Sequence, residues 1–274
     1  MRLKIKNFLV RVAASLGIFI TSYQEDYVYV PVKKTRKGKL VDLPLQDTNI
    51  KSDKQPLGDL STLDEDLFYK IANRVISDGK TFLSHDRLYI LWQSIRNVRF
   101  VFLPAVEVGS YRGGSAFFIA TALNELLGTE VPLHVIDTFE GHPDKVSQEF
   151  DNQHVQGYFS DTSFEDVQSY LSGFSKVIMH KGEFTSVAKE LSVIQYGFVH
   201  IDVDIYQSIL DCLNYFGERI VEGGVIVVDD YGAQSCPGVE RAVKEYLQKH
   251  NNFYVWQPFT EQIILVKSIN LHIR

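Results

Sequence analysis

The chain has 274 residues, 45% of them apolar, enough for one well-packed core and too few for two ordinary enzyme domains with a linker. Its formal net charge of −6 excludes an ordinary nucleic-acid binder, because phosphate contacts need a basic surface. Its two cysteines, Cys212 and Cys236, lack C-x-x-C spacing and exclude a disulfide framework; the expectation is a reduced, cytoplasmic chain with one partly buried thiol and one loop thiol.

In the first twenty residues, Arg2, Lys4 and Lys6 precede Phe8-Leu9-Val10 and a mostly apolar run from Val12 to Ile20. Arg11 splits that run, no small-x-small cleavage site follows, and the run falls short of the ~20 residues a spanning helix needs. The segment predicts an amphipathic helix packed on the domain or on a second subunit, with membrane-surface contact as the alternative and no integral membrane segment. Residues 21–60 look irregular. Tyr27 to Val30 alternates like a short strand, which Pro31 confines to an edge. Lys33 to Lys39 and Gln46 to Gln55 look like a loop or lid. Residues 1–60 therefore form an extension, lid or oligomer contact, and residues 61–274 a single domain.

Thr62-Leu-Asp-Glu65 has capping-box spacing. Leu67, Phe68, Ile71, Val75 and Ile76 then make a helical stripe that Asp78-Gly79 ends. A second helix runs from about Ser84 through Leu88, Leu91, Trp92 and Ile95. From Phe100 onward short apolar runs alternate with helical stretches, the pattern of a parallel sheet covered on both faces. Strands are predicted near 104–108, 132–136, 176–180, 197–202 and 224–229, with helices near 114–127, 163–172, 184–192, 206–219 and 238–249. Phe253 to Trp256 and Ile263 to Val266 are too close for another crossover and predict an antiparallel hairpin. The fold class is α/β: a doubly wound, mostly parallel, seven-stranded Rossmann-like sheet with a C-terminal antiparallel hairpin and an N-terminal helical extension.

The first predicted sheet strand ends in Val106-Glu-Val-Gly-Ser-Tyr-Arg-Gly-Gly-Ser115, and a helix follows. A strand, a glycine turn and a helix N-terminus form a ligand cradle at the carboxyl edge of such a sheet. Gly109 lets a ligand approach the backbone, and Gly113 and Gly114 turn the chain into the helix. The turn reads G-x-x-x-G-G, not the dinucleotide G-x-G-x-x-G. Glu107 suits a ligand with a cationic end, such as S-adenosylmethionine, better than a pyrophosphate. The candidate cofactor contacts here are Glu107, Gly109, Ser110, Tyr111, Gly113 and Ser115. Asp137 ends the second strand, where an acidic residue commonly holds ribose hydroxyls, and Gly182 lets the backbone approach the adenine.

The fourth strand ends in Asp202-Val-Asp-Ile-Tyr206 and the fifth in Asp229-Asp-Tyr-Gly232. Neighbouring parallel strands put their carboxyl ends side by side, so Asp202, Asp229 and Asp230 converge at one edge. Three packed carboxylates repel unless a cation or proton intervenes, and hard oxygen donors with open positions favour Mg²⁺. Chelation would acidify an alcohol, and Asp204 would then accept its proton as general base. His142 is the other candidate base.

Together these segments, with Asp137-Thr-Phe-Glu-Gly-His-Pro143 and Lys181-Gly-Glu-Phe184, resemble the macrocin O-methyltransferase family, whose members methylate sugar hydroxyls on macrolide and aminocoumarin antibiotics. The similarity covers roughly residues 60 to 270. It implies a class I methyltransferase fold, S-adenosylmethionine as donor, and Mg²⁺ at Asp202, Asp229 and Asp230. It also implies Asp204 as base, a small-molecule acceptor carrying a sugar hydroxyl, and a homo-oligomer. A catechol or other vicinal diol is the alternative acceptor. A nicotinamide oxidoreductase and a non-catalytic binding protein are the alternatives of other classes.

Overall fold

The computed structural model describes residues 32–34, 40–42, 65–98, 101–127, 131–143, 149–192 and 195–268. The expected N-terminal helix, the Tyr27 to Val30 strand and the Thr62 cap lie outside these residues. Within the extension, β1 (Val32–Lys34) pairs antiparallel with β2 (Leu40–Asp42). Lys33 and Lys34 are therefore strand residues and not loop, since a proline is tolerated just ahead of a strand.

Two helices, α1 (Glu65–Ser77) and α2 (His85–Asn97), precede the main sheet. The sheet strands are β3 (Ala105–Val108), β4 (Leu133–Asp137), β5 (Val177–Lys181), β6 (Tyr196–Ile201), β7 (Ile220–Val228), β8 (Phe253–Trp256) and β9 (Ile263–Lys267). Between them lie α3 (Gly114–Leu127), α4 (Phe164–Tyr170), α5 (Phe184–Val187), α6 (Tyr206–Arg219) and α7 (Pro237–Lys249). The strand order is β5-β4-β3-β6-β7-β9-β8. β3 to β7 run parallel, and β9 pairs antiparallel with both β7 and β8. This is the doubly wound sheet with a terminal hairpin that the apolar runs imply.

Strand alternation sorts the core into two layers. Ala105, Leu133, Val135, Phe198, Val225 and Val227 face α1, α2, α3 and α4. Val106, Val108, Ile136, Val199, Ile201, Ile226 and Val228 face α5, α6 and α7. Both sheet faces are thereby removed from water, which is why β3 is buried at all four positions and β6 at all six. Winding goes outward from β3 to β5, then restarts on the other side at β6. The crevice between the carboxyl ends of β3 and β6 is therefore the switch point where open α/β sheets hold ligands.

Two elements differ from their sequence expectations. The helix expected over 184–192 stops at Val187, and only its first turn is α-helical. β7 starts at Ile220, not near 224, because α6 runs into it with no intervening residue. The β6–β7 register shifts between Tyr196 and Phe198, opposite the Gly223-Gly224 pair. Gly223 has φ +76°, and a Cβ on Gly224 would lie 2.8 Å from Ile220 Cγ1. A bulge of that kind suits glycine and hides the strand start from a reading of apolar runs.

Candidate active site

The carboxyl ends of β3, β4, β5, β6 and β7 open onto one cavity of about 800 Å³, within the usual range for ligand pockets. Its wall includes Gly109, Ser110, Tyr111, Ser115, Asp137, Gly182, Asp202, Asp204, Asp229 and Asp230. Eleven of the thirteen candidate site residues named from the sequence, His142 among them, thus share one wall. Gly113 and Glu107 do not. Gly113 packs against Val167 of α4.

Glu107 stands behind that wall. It lies in β3 on the face that bears Ala105, beneath α2 and α3. It is fully buried, and its Oε1 lies 2.9 Å from Nδ1 of His200, its in-register neighbour on β6. It is not on the cavity wall.

The glycine turn is held by Asp137. Its Oδ2 accepts from the amides of Ser110 and Tyr111 at 2.7 and 2.8 Å, and its Oδ1 accepts from the amide of Phe139 at 2.7 Å. One carboxylate thus ties the turn after β3 to the turn after β4. Gly109 sits where β3 passes β6, with φ +86°. A Cβ there would lie 1.8 Å from the Asp202 carbonyl oxygen. The need for glycine is therefore set by the neighbouring strand, not only by a ligand. The Tyr111 hydroxyl donates to Asp161 at 2.7 Å; burial, then this bond, pushes its pKa up to about 12. Ser110 Oγ is buried and has no hydrogen-bond partner. An orphaned hydroxyl on a cavity wall is the kind of group a polar ligand satisfies.

Asp202, Asp229 and Asp230 each bring an oxygen to within 4.8 Å of the others. Burial, then mutual repulsion with Asp229 and Asp230, pushes the Asp202 carboxyl well above its ordinary range. Burial also raises Asp229, against the pull of Arg87 and His200. Burial and a hydrogen bond with Asp204 push Asp230 up to about 8. Such clustering is costly without a counter-charge. Asp229 is 1% exposed, and its Oδ1 has no partner. A set of hard oxygen donors with one orphaned, buried oxygen fits a small divalent cation.

Asp204 behaves differently. Burial alone would raise its pKa, but hydrogen bonds with His142 and Asp230 bring it below the usual value. The site thus favours the ionised form of Asp204 and the protonated form of Asp230. His142 Nε2 lies 3.1 Å from Asp204 Oδ2, and the Cys236 thiol lies 3.8 Å from Asp204 Oδ1. Cys236 is the loop thiol: it lies just ahead of α7 as its N-cap, and it is buried. Both Asp204 (φ 59°) and Asp230 (φ 57°) hold left-handed backbone, which costs about 1–3 kcal/mol per residue and persists at functional sites.

Sequence reasoning missed Arg87. From α2 its Nη1 donates to Asp229 Oδ2 at 2.6 Å and to Asp230 Oδ1 at 2.9 Å. Its Nη2 reaches Glu261 Oε2 at 2.6 Å. Burial works against the guanidinium, but Asp229 and Asp230 together hold its pKa above the ordinary value. No motif flags this arginine, because its partners are far away in the chain.

Comparison with known proteins gives the family and the fold. Residues 51–259 match the family model of the macrocin O-methyltransferases (TylF). The demethyldecarbamoylnovobiocin O-methyltransferase of Streptomyces niveus is 24% identical over 63% of this chain and 70% of its own length. The 8-demethyl-8-(2,3-dimethoxy-alpha-L-rhamnosyl)-tetracenomycin-C 4'-O-methyltransferase of Streptomyces olivaceus is 26% identical over 48% of this chain. The chain spans about half the length of that relative, 54%. Among solved structures, the O-methyltransferase NovP superposes with a TM-score of 0.65 at 20% identity, covering 76% of this chain and all of NovP. The calicheamicin methyltransferase CalS11 superposes with a TM-score of 0.53 at 16% identity, covering 74% of this chain and 91% of its own. These likenesses show a class I methyltransferase fold. With its glycine turn, its strand-end aspartates and a family match over most of its length, the chain belongs to the macrocin O-methyltransferase family.

Proposed function

We propose that the chain transfers a methyl group from S-adenosylmethionine to a hydroxyl of a sugar or glycosylated natural product, with Mg²⁺ held at Asp202, Asp229 and Asp230. The observation that carries this reading is the meeting of those three carboxylates, with Asp229 Oδ1 orphaned, on the same cavity wall as the glycine turn. The curated relatives are O-methyltransferases named for glycosylated antibiotics, which supports the acceptor class.

The chain's own residues divide the work. Ser110 Oγ, Ser115 and the Gly182 backbone lie on the wall that would hold the donor. Asp137, which fixes the glycine turn, accepts a ribose hydroxyl through Oδ1. Asp202, Asp229 and Asp230 hold the metal, which when bound lowers the pKa of a chelated hydroxyl. Asp204 is ionised and takes the proton of the attacking hydroxyl. His142 fixes the orientation of that carboxylate through Oδ2. The cavity positions donor and acceptor together, and positioning supplies much of the rate of such transfers. The same reading carries a cytoplasmic setting, which suits two buried free thiols, and a homo-oligomer with residues 1–60 at its contact or over its site. Among the described residues no helix is long and apolar enough to cross a membrane.

The test is release of S-adenosylhomocysteine from S-adenosylmethionine in the presence of Mg²⁺ and a panel of glycosylated and catechol acceptors, with and without excess chelator. Chelator-sensitive turnover of a glycosylated acceptor supports the proposal. Turnover of catechols alone, or full turnover in chelator, overturns the sugar assignment or the metal assignment respectively.

A further inference from the structure

The metal carboxylates come from strand ends, but the group that fixes their orientation comes from a helix outside every motif described above. Arg87 sits near the start of α2, and its side chain is 17% exposed. Its Nη1 bridges one oxygen of Asp229 and one of Asp230, while Nη2 is held by Glu261 in the turn between β8 and β9. The guanidinium is thus gripped from both sides and has little freedom to swing. We propose that Arg87 is a positioning residue of the metal site, setting the rotation of Asp229 and Asp230 so that their remaining oxygens meet those of Asp202. This inference rests on the metal reading above.

Two observations support it. The oxygen of Asp229 that Arg87 engages is Oδ2, and the one left without a partner is Oδ1. A guanidinium on one oxygen fixes the plane of the carboxylate and leaves the other as the available donor. Finally, the contact needs two donors on one nitrogen and a third on its neighbour, in the fixed fork that arginine has and lysine lacks. Partners that orient metal ligands in this way typically contribute about 10–100-fold to metal affinity.

The alternative is that Arg87 occupies the site in competition with the metal, or that it only joins α2 to the sheet edge. The three ideas predict different signs. The experiment measures Mn²⁺ binding by electron paramagnetic resonance on the full chain, wild type against Arg87→Gln, Arg87→Lys and Glu261→Gln. S-adenosylhomocysteine affinity and circular dichroism are measured in parallel. Expected is metal binding about 10–100-fold weaker in Arg87→Gln, a smaller loss in Arg87→Lys and the smallest in Glu261→Gln, with S-adenosylhomocysteine affinity within about twofold of wild type. Tighter Mn²⁺ binding in Arg87→Gln makes the arginine a competitor and overturns the proposal. Unchanged binding makes it structural and also overturns it. If Arg87→Gln does not fold, the order of Arg87→Lys and Glu261→Gln against wild type decides in the same way. Failure of the wild-type chain to bind Mn²⁺ removes the metal reading itself, a result distinct from an altered or unaltered variant.

Discussion

His142 Nε2 lies 3.1 Å from Asp204 Oδ2, although 62 residues separate them in the chain. The loop after β4 thus delivers a ring to the carboxylate that follows β6. Against burial, this contact and Asp230 both favour the ionised form of that carboxylate. Replacing Asp204 by Asn is expected to lower kcat by about 10²–10⁴-fold, the usual worth of a positioned proton acceptor, with Mn²⁺ affinity little changed. Single-turnover rates measured beside metal titrations check this. An equal fall in both would make Asp204 a metal ligand and not the base.

Asp229 is the most enclosed member of the acidic set, and one of its oxygens has no partner. A ligand bound only to the folded state stabilises it, so Mg²⁺ is expected to raise the melting temperature of the wild-type chain. Asp229→Asn is expected to abolish that rise and the metal-dependent turnover, while S-adenosylhomocysteine still stabilises the variant. Equal Mg²⁺ shifts in both proteins, read by differential scanning fluorimetry, would remove Asp229 from the site.

Gly109→Ala tests how the glycine turn is built. Left-handed backbone alone costs a non-glycine residue about 1–3 kcal/mol, and the added methyl would meet the Asp202 carbonyl at 1.8 Å. Urea unfolding is therefore expected to show a loss above that range. Binding of both Mn²⁺ and S-adenosylhomocysteine should weaken, because the displaced strand end carries Asp202. A stable variant that loses only nucleoside binding would mean that the glycine serves the ligand alone.

His134 on β4 and His180 on β5 meet through ring nitrogens 2.9 Å apart. Burial, then the neighbouring His180, lowers His134 to about 4 from an ordinary 6.5, and burial lowers His180 as well. Between those values the unfolded chain binds more protons than the folded one, so stability rises with pH across the window. The contribution is complete above about pH 6.5 and lost as pH falls through about 4. His134→Leu should flatten this part of the profile, as measured by melting temperature against pH. An unchanged slope would assign the acid sensitivity to other groups.

Most of the sheet is legible in the sequence because buried parallel strands read as unbroken apolar runs, as in Val225 to Val228 and Phe198 to Ile201. The strand-end aspartates are legible for the same reason, since each closes such a run. The place of Glu107 behind the cavity wall is not legible, because sequence adjacency to the turn says nothing of which face of β3 it occupies; strand alternation sends it to His200. Helix α5 falls short because past Val187 the chain tightens into turns, with i−3 bonds at Lys189 and Glu190, which apolar spacing does not distinguish from helix. Arg87 is illegible because its partners lie 142, 143 and 174 residues away, a relation that only the packed fold creates.

Helix α6 ends at Arg219 and β7 starts at Ile220, so this stretch acts as a ruler between the two groups of aspartates on the cavity wall. A single residue inserted at that junction would invert the faces of the strand up to the bulge, or shift Asp229 and Asp230 along the sheet edge away from Asp202. Length variation in this protein is therefore better accommodated elsewhere, for instance between β8 and β9. The spacing from Asp204 to Asp229 is consequently a sharper search key for chains that share this chemistry than the identity of any residue lying between them.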